Sequence, residues 1–390
     1  MRDMSVSRKT IVILVLLALP LVVKCLWTWA ALAGVSSGEG EKADLLRRRD
    51  YLIGKVVSSP EQVLAAMPSA IGPQFQGEWA LYSCSMLSAA LTNMAIRFPE
   101  EREGSAAAID SLVRIAMSEQ LRSYDRERWG EDPLAPGAME GKVSHLSYYS
   151  HLAWMIGGYK RSGGDGKYDA LHRRLCEALN RRIVSSPTLN VQTYPREPIY
   201  VPDMLVAIVA LSQYSCMHGG RYSDTVKRWL EEMKEKHLDP ETGLIESYLP
   251  DGEVWIGAPS VRGSYSALSC YYLTFIDPSF ARDQYGRIKQ SFLQKWPLTG
   301  IREYYKNRCL LGMDIDSGPV IMNLSPSGTA FAMGPATYFE DMKLRRRILR
   351  TGELAGTTVT SGGKSHYLLA NVALVGEAIM LAMRTAVPWY

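Results

Sequence analysis

The chain has 390 residues, 47% hydrophobic and 22% charged, with 44 Lys and Arg against 40 Asp and Glu for a formal net charge of +4. This balance excludes a disordered chain, and 32 Gly with 20 Pro exclude a collagen-like or low-complexity one. The basic excess is too small for a nucleic-acid binder, and at roughly 150 residues per domain the length admits two or three domains or one large toroid or barrel.

The first element is apolar. Thirteen uncharged residues, Ile11 to Val23, precede Lys24, and a second apolar stretch runs from Cys25 to Val35. Two readings stand for residues 1–36. A signal peptide would use Arg2, Arg8 and Lys9 as its basic region and Ala31-Leu32-Ala33 as its cleavage site. A retained signal-anchor would use nearly the whole stretch, with Lys24 snorkelling and Trp27 and Trp29 as an interfacial belt. Lys24 before Cys25 excludes a lipobox. Lys42 and Arg47 to Arg49 nearly balance the basic residues before the segment, and acidic Glu39 and Glu41 favour a body outside the cytoplasm, on the periplasmic side.

Beyond it, apolar residues recur at helical spacing and two-residue alternation is scarce, so the body is expected to be all-α. Residues 37–70 form a linker and a first outer helix near Lys42 to Lys55. Residues 71–390 alternate helices of two kinds. Weakly charged ones, expected to be buried, cover Phe75 to Phe98, Val143 to Lys160, Asp203 to Met217, Gly263 to Ile276, Ser317 to Met333 and His366 to Arg384. Amphipathic ones cover Glu101 to Ser123, Tyr168 to Val184, Ser223 to Lys236, Pro278 to Gln294 and Pro335 to Arg350. A two-helix unit repeating every 50 to 70 residues predicts an (α/α)6 toroid. Turns leaving the buried helices are short, as at His218-Gly219-Gly220. The connections entering them are long, as at Ser185 to Pro202, His237 to Arg262, Lys295 to Asp316 and Thr351 to Ser365. Long loops of this kind usually carry function, so the active face is expected where they gather, beside the N-termini of the inner helices. A small β-hairpin is expected within Leu238 to Trp255, between the turns Asp239 to Gly243 and Pro250 to Gly252.

No dinucleotide fingerprint, phosphate loop, zinc-protease or serine-hydrolase motif occurs, and neither a cofactor nor a metal is expected. Five cysteines in the body, Cys84, Cys176, Cys216, Cys270 and Cys309, lack CxxC spacing and are expected to pack in the core. Candidate chemistry comes from polar residues on the loop face. His145 opens the second inner helix, with Tyr148 on its face, as a possible acid/base pair or as ordinary rim and packing residues. Asp203 follows Tyr200-Val201-Pro202 at a helix start, as a cap or facing a ligand. Asp314 and Asp316 lie two apart in an apolar stretch, so one can cap while the other projects inward; proximity to each other or to Asp203 would raise a carboxyl pKa. Arg262 and Tyr265 open the fourth inner helix. Glu78, Trp79 and Tyr82 share a face of the first, as core or as ligand contacts. The excess of 21 Tyr over 7 Phe suits a cavity with polar handles, and six helix N-termini favour an anionic or strongly polar ligand.

Gly77-Glu78-Trp79-Ala80-Leu81-Tyr82, Ser144-His145-Leu146, Gly163-Gly164-Asp165-Gly166-Lys167-Tyr168 and the Tyr194-Pro195 to Pro202-Asp203 loop resemble the linalool dehydratase/isomerase-like family of the α/α-toroid superfamily. The resemblance implies six helix pairs around a deep, largely apolar cavity, with His145 in the place of a family histidine. That family uses two cysteines in the loop corresponding to Thr193 to Pro202, where this chain has none; its terpene-hydrating mechanism is therefore not expected here. The expected function is lyase, isomerase or epimerase chemistry on a polar small molecule or glycan. His145, Asp203, Asp314 and Asp316 would be acids and bases, and Glu78, Trp79, Tyr82, Tyr148, Tyr200, Arg262 and Tyr265 would hold substrate. The alternatives are a non-catalytic glycan-binding or scaffold toroid and a glycoside hydrolase with paired carboxylates.

Overall fold

A computed structural model describes residues 8–35, 38–250, 260–306 and 309–390, with side chains described from residue 19 onward. The chain is mostly helical. The helices are α1 (Arg8–Gly34), α2 (Gly38–Val56), α3 (Pro60–Ala65), α4 (Pro73–Arg97), α5 (Arg102–Ala116), α6 (Glu119–Trp129), α7 (Leu146–Arg161) and α8 (Asp169–Ser185), followed by α9 (Val201–Met217), α10 (Ser223–Lys236), α11 (Gly263–Leu273), α12 (Pro278–Ser291), α13 (Pro326–Tyr338), α14 (Met342–Gly356) and α15 (Leu374–Thr385). Four two-stranded antiparallel pairs complete it: β1 (Ile199–Tyr200) with β2 (Tyr248–Leu249), β3 (Leu293–Gln294) with β4 (Gly300–Ile301), β5 (Leu311–Asp314) with β6 (Gly318–Ile321), and β7 (Thr358–Ser361) with β8 (Lys364–Tyr367).

Six helices carry little charge and are buried almost all round, which is the condition for a helix covered on most sides. These are α4, α7, α9, α11, α13 and α15. Each packs on the next, and α15 packs on α4, so the order of contacts closes on itself. The amphipathic helices lie outside: α5 against α4 and α7, α8 against α7 and α9, α10 against α9, α12 against α11, α14 against α13, and α2 against α15 and α4. Short links from inner to outer helices, such as Thr274 to Asp277 between α11 and α12, force antiparallel packing. The described parts of the long connections, within 130–145, 186–200, 237–262, 292–325 and 357–373, therefore return along the end where the inner helices begin. Close backbone approach fixes one of these starts: a Cβ on Gly263 would lie 1.8 Å from the carbonyl oxygen of Arg302, and the Gly263 amide donates to the Glu303 carbonyl.

Three expectations from the sequence shift. Helix α13 begins at Pro326, with Ser325 accepting from the Gly328 amide, because Gly318 and Pro319 place residues 318–321 in β6 instead. Helix α15 begins at Leu374, and Lys364–Tyr367 is strand β8. The expected hairpin is only partly local. Asp239 accepts from the Glu241 and Thr242 amides and turns the chain so that Leu238 bridges Ile245, but Tyr248–Leu249 pairs across the loops with β1. The second turn, at Pro250 to Gly252, extends outside the described residues.

Helix α2 is bolted to the body by buried charges. Arg48 reaches Asp44 at 3.0 Å, Glu377 at 2.7 Å and Thr358 at 2.6 Å, and Arg384 holds Asp44 at 2.7 Å. Burial alone would raise the Asp44 carboxyl, yet Arg384 and Arg48 bring it down to about 2. Arg48 is thus an internal ion-pair centre rather than a solvated base. Helix α1 lies along α14, with Lys24 donating to the Glu353 carbonyl and to Thr357. Among the described residues no single helix is long and apolar enough to cross a membrane; Leu19–Gly34 and Gly38–Val56 reach that length together with a bend of 106°.

Candidate functional site

The polar centre of the molecule is built at the long-loop end from Glu78 in the second turn of α4, Asp203 in the first turn of α9 and Asp316 in the turn between β5 and β6. All three feel one another electrostatically and all hold their protons above the ordinary carboxyl range. Burial pushes Glu78 up to about 8, and the charges of Asp203 and Asp316 add to it against the pull of Arg128. Burial likewise raises Asp203 to about 7, with the Thr193 hydroxyl opposing and Asp316 adding. Asp316 rises to about 6 because protein surrounds it, with the Tyr265 hydroxyl opposing and Asp314 adding. Yet Glu78 keeps 28% of its side chain accessible and Asp316 is exposed. We read carboxyls that are surrounded by protein but still wetted as lining a shallow recess rather than a sealed core, and solvent screening makes the rise at Asp316 count for less than those at Glu78 and Asp203.

Arg128, at the end of α6, sets the charge balance. Its guanidinium lies 3.1 Å from Glu78 and 3.1 Å from Glu197, and stacks 3.5 Å from the centre of the Tyr194 ring. Tyr200 donates to the other oxygen of Glu197 at 3.0 Å. One cation serving two carboxylates offsets only part of the rise that burial gives Glu78.

A second ionic centre seats the β5–β6 hairpin. Arg262 is held by three partners, with Nε 2.5 Å from Glu303, Nη1 2.6 Å from the Tyr248 hydroxyl and Nη2 forming an ion pair with Asp314 at 3.0 Å. Asp314 also accepts from the Asp316 and Ser317 amides. Burial would raise it, but Arg262 and these amides bring it below the usual carboxylate range, so it is an ionised clamp. Its neighbour Asp316 accepts from Tyr265 at 2.8 Å. The rings of Tyr200, Tyr248 and Tyr265 meet edge-on or tilted, with centroids 5.1 to 6.2 Å apart, and wall this side of the recess. Tyr82 packs edge-on against Phe331, and its buried hydroxyl has no hydrogen-bond partner among the described residues.

The structure separates the sequence candidates into groups. Glu78, Asp203 and Asp316, with Tyr82, Tyr200 and Tyr265, belong to the recess; Asp314 and Arg262 hold its frame. Trp79 is half-buried against the hydrophobic core. Tyr148 is buried and donates to the Ala116 carbonyl at 2.9 Å, which commits its hydroxyl to α5. His145 is fully buried in the left-handed region at φ 48°, with Nδ1 2.5 Å from Asp125. Its Nε2 lies 3.6 Å from Glu131. Between the His145–Asp125 pair and the recess stands Tyr124, buried and influenced by both Asp125 and Glu78; it packs on α4 at Gly77, where a Cβ would lie 2.5 Å from the tyrosine Cβ.

Arg128, Glu197, Tyr248 and Glu303 escaped the sequence reading. Arg128 and Glu197 sit in charged stretches that read as solvated surface, and Glu303 lies in a loop with no periodicity to mark it. Cys84, Cys176 and Cys270 are buried, with burial pushing their thiols up, Cys84 to about 12. Cys216 is exposed and Cys309 half-buried, so core packing holds for three of the five. Among the described residues no group of three or more His, Cys, Asp or Glu side chains converges enough to hold a metal ion. No protein-family model matches the chain.

Proposed function

We propose that this chain is an (α/α)6 toroid enzyme of lyase, isomerase or epimerase type, acting by acid/base chemistry on a polar small molecule or glycan. The closed order of six inner helices supports the toroid. The observation that carries the chemistry is the trio Glu78, Asp203 and Asp316, with proton affinities spread from about 8 through about 7 to about 6 in one wetted recess. Groups whose environments set their pKa values apart around neutrality divide into an acid and a base. At pH 7 Glu78 carries a proton and Asp316 is ionised. In a dehydration, Asp316 takes a proton from carbon while Glu78 gives one to the departing hydroxyl, so a C–H and a C–O bond break, a C=C bond forms and water leaves. In an epimerisation, a proton lost to one carboxylate is returned by the other carboxyl group to the opposite face. Asp203 exchanges protons with either, Tyr82 and Tyr265 orient the substrate, and His145–Asp125 positions the wall through Tyr124. Buried, high-pKa thiols support carboxyl rather than thiol chemistry. The exposed apolar side chains of α1, including Leu21, Val22 and Trp29, support a membrane tether, with the body outside the cytoplasm or exported after cleavage.

The test is proton exchange. Hydroxylated terpenoids and uronate-ended oligosaccharides are incubated with the protein in D2O and followed by NMR. The proposal expects deuterium at a substrate carbon, falling at least about 100-fold in Asp316→Asn. Binding without exchange would favour a glycan-binding toroid, and glycosidic cleavage without exchange a hydrolase.

A further inference from the structure

Helix α1 has a direction relative to the recess. It packs along α14, with Lys24 against Glu353 and Thr357 at the C-terminal end of α14, while Glu41 at the start of α2 pairs with Arg345 near the other end. The two helices therefore run antiparallel. Before Lys24, the residues Leu19 to Val23, about 7.5 Å at about 1.5 Å each, lead away past the C-terminal end of α14. That end is where α14 passes into the β7–β8 connection leading to α15, the same long-loop end that carries Glu78, Asp203 and Asp316.

The apolar surface of the body is distributed the same way. Trp296, Leu311, Met313, Ile321, Leu368 and Val372, each between 48% and 85% exposed, all lie in connections at the long-loop end. The opposite end shows Met342 and Tyr390. In the β5–β6 hairpin the alternation is one-sided: Leu311 opposite Ile321 and Met313 opposite Pro319 face solvent, while Asp314 and Val320 turn inward toward the site. A sheet face of four apolar residues turned to water, on the hairpin that carries Asp316, marks a surface that is covered in use.

We propose that the cover is a lipid bilayer: the long-loop end rests on the membrane, and the carboxyl recess opens toward it. Continuity selects lipid over a second protein, because Leu21, Val22 and Val23 of α1, each also exposed, precede Lys24 and so lead past this same end. The inference rests on reading α1 as a membrane segment and deepens the proposed function. It makes the substrate an amphiphile that partitions into the bilayer and presents a hydroxyl or other polar group to Glu78, Asp203 and Asp316.

Photocrosslinking of the full chain tests this. p-Benzoylphenylalanine is placed singly at Val22, Met313, Leu368 and Met342, the protein is reconstituted in phosphatidylcholine/phosphatidylglycerol vesicles, and lipid adducts are measured by mass spectrometry. Adducts at positions 22, 313 and 368, with at least tenfold less at 342, are expected. Adducts at 22 without 313 and 368, or equal adducts at 342, would overturn the membrane-facing recess and leave the anchor standing. Adducts at 313 and 368 without 22 would remove the anchor and keep the membrane-facing surface. Adducts at none of the four would remove both.

Discussion

Arg128 holds Glu78 and Glu197 at once, 3.1 Å from each carboxylate. Burial raises the Glu78 carboxyl and the shared guanidinium offsets that rise only in part, a division that can be tested from both sides. Glu197→Gln leaves the cation to Glu78 alone and lowers its midpoint from about 8, whereas Arg128→Met removes the cation and raises it. Carboxyl titration by 13C NMR reads both; equal midpoints in the two variants would contradict the shared-cation account.

The same shifts set the pH dependence of stability. Glu78 ordinarily titrates near 4.5 and Asp203 near 3.8, but in the fold they titrate near 8 and 7. The native state binds more protons than the unfolded chain between those values, so stability is greatest near the lower values and falls as pH rises toward 8. Urea unfolding at several pH values should show this decline, and it should flatten in Glu78→Gln. A stability that rises across that window in the wild type but not in the variant would reverse the sign argued here.

Arg262 holds Glu303, Tyr248 and Asp314 together. Arg262→Leu leaves Glu303 buried without its cation, and removing one partner of a buried pair costs about 3–5 kcal/mol. Asp314→Asn keeps the Arg262–Glu303 contact and should cost less. Its mark should be a loosened β5–β6 hairpin, read as faster hydrogen exchange at residues 311–321. Equal destabilisation by the two variants would contradict this division of roles.

His145 is buried and bound to Asp125, the residue after Tyr124, which packs on α4 at Gly77. His145→Gln should lower thermal stability while leaving the Glu78 midpoint near 8, as read by NMR. A large movement of that midpoint would make His145 a direct member of the proton-sharing group.

The inner and outer helices were legible because their signal is periodic and local: weak charge over 201–217, a charged face over 223–236. Residues 317–321 were misread because an apolar run with Gly318 and Pro319 suits a strand or a helix start equally until its partner is known, and that partner, Leu311–Asp314, is fixed by register alone. Asp203 and Asp316 could be nominated as polar residues in apolar surroundings. Their grouping with Glu78, and the role of Arg128, arise from the meeting of α4, α6, α9 and the hairpin, which no local pattern encodes.

The central claim is that one recess holds a carboxylic acid protonated at neutral pH beside an ionised carboxylate. Difference infrared titration of the wild type against Glu78→Gln tests it most directly. The account predicts a protonated carboxyl band that persists to about pH 8 and is absent from the variant. A wild type whose carboxyl groups are all ionised by pH 6, with no band lost in Glu78→Gln, would contradict it.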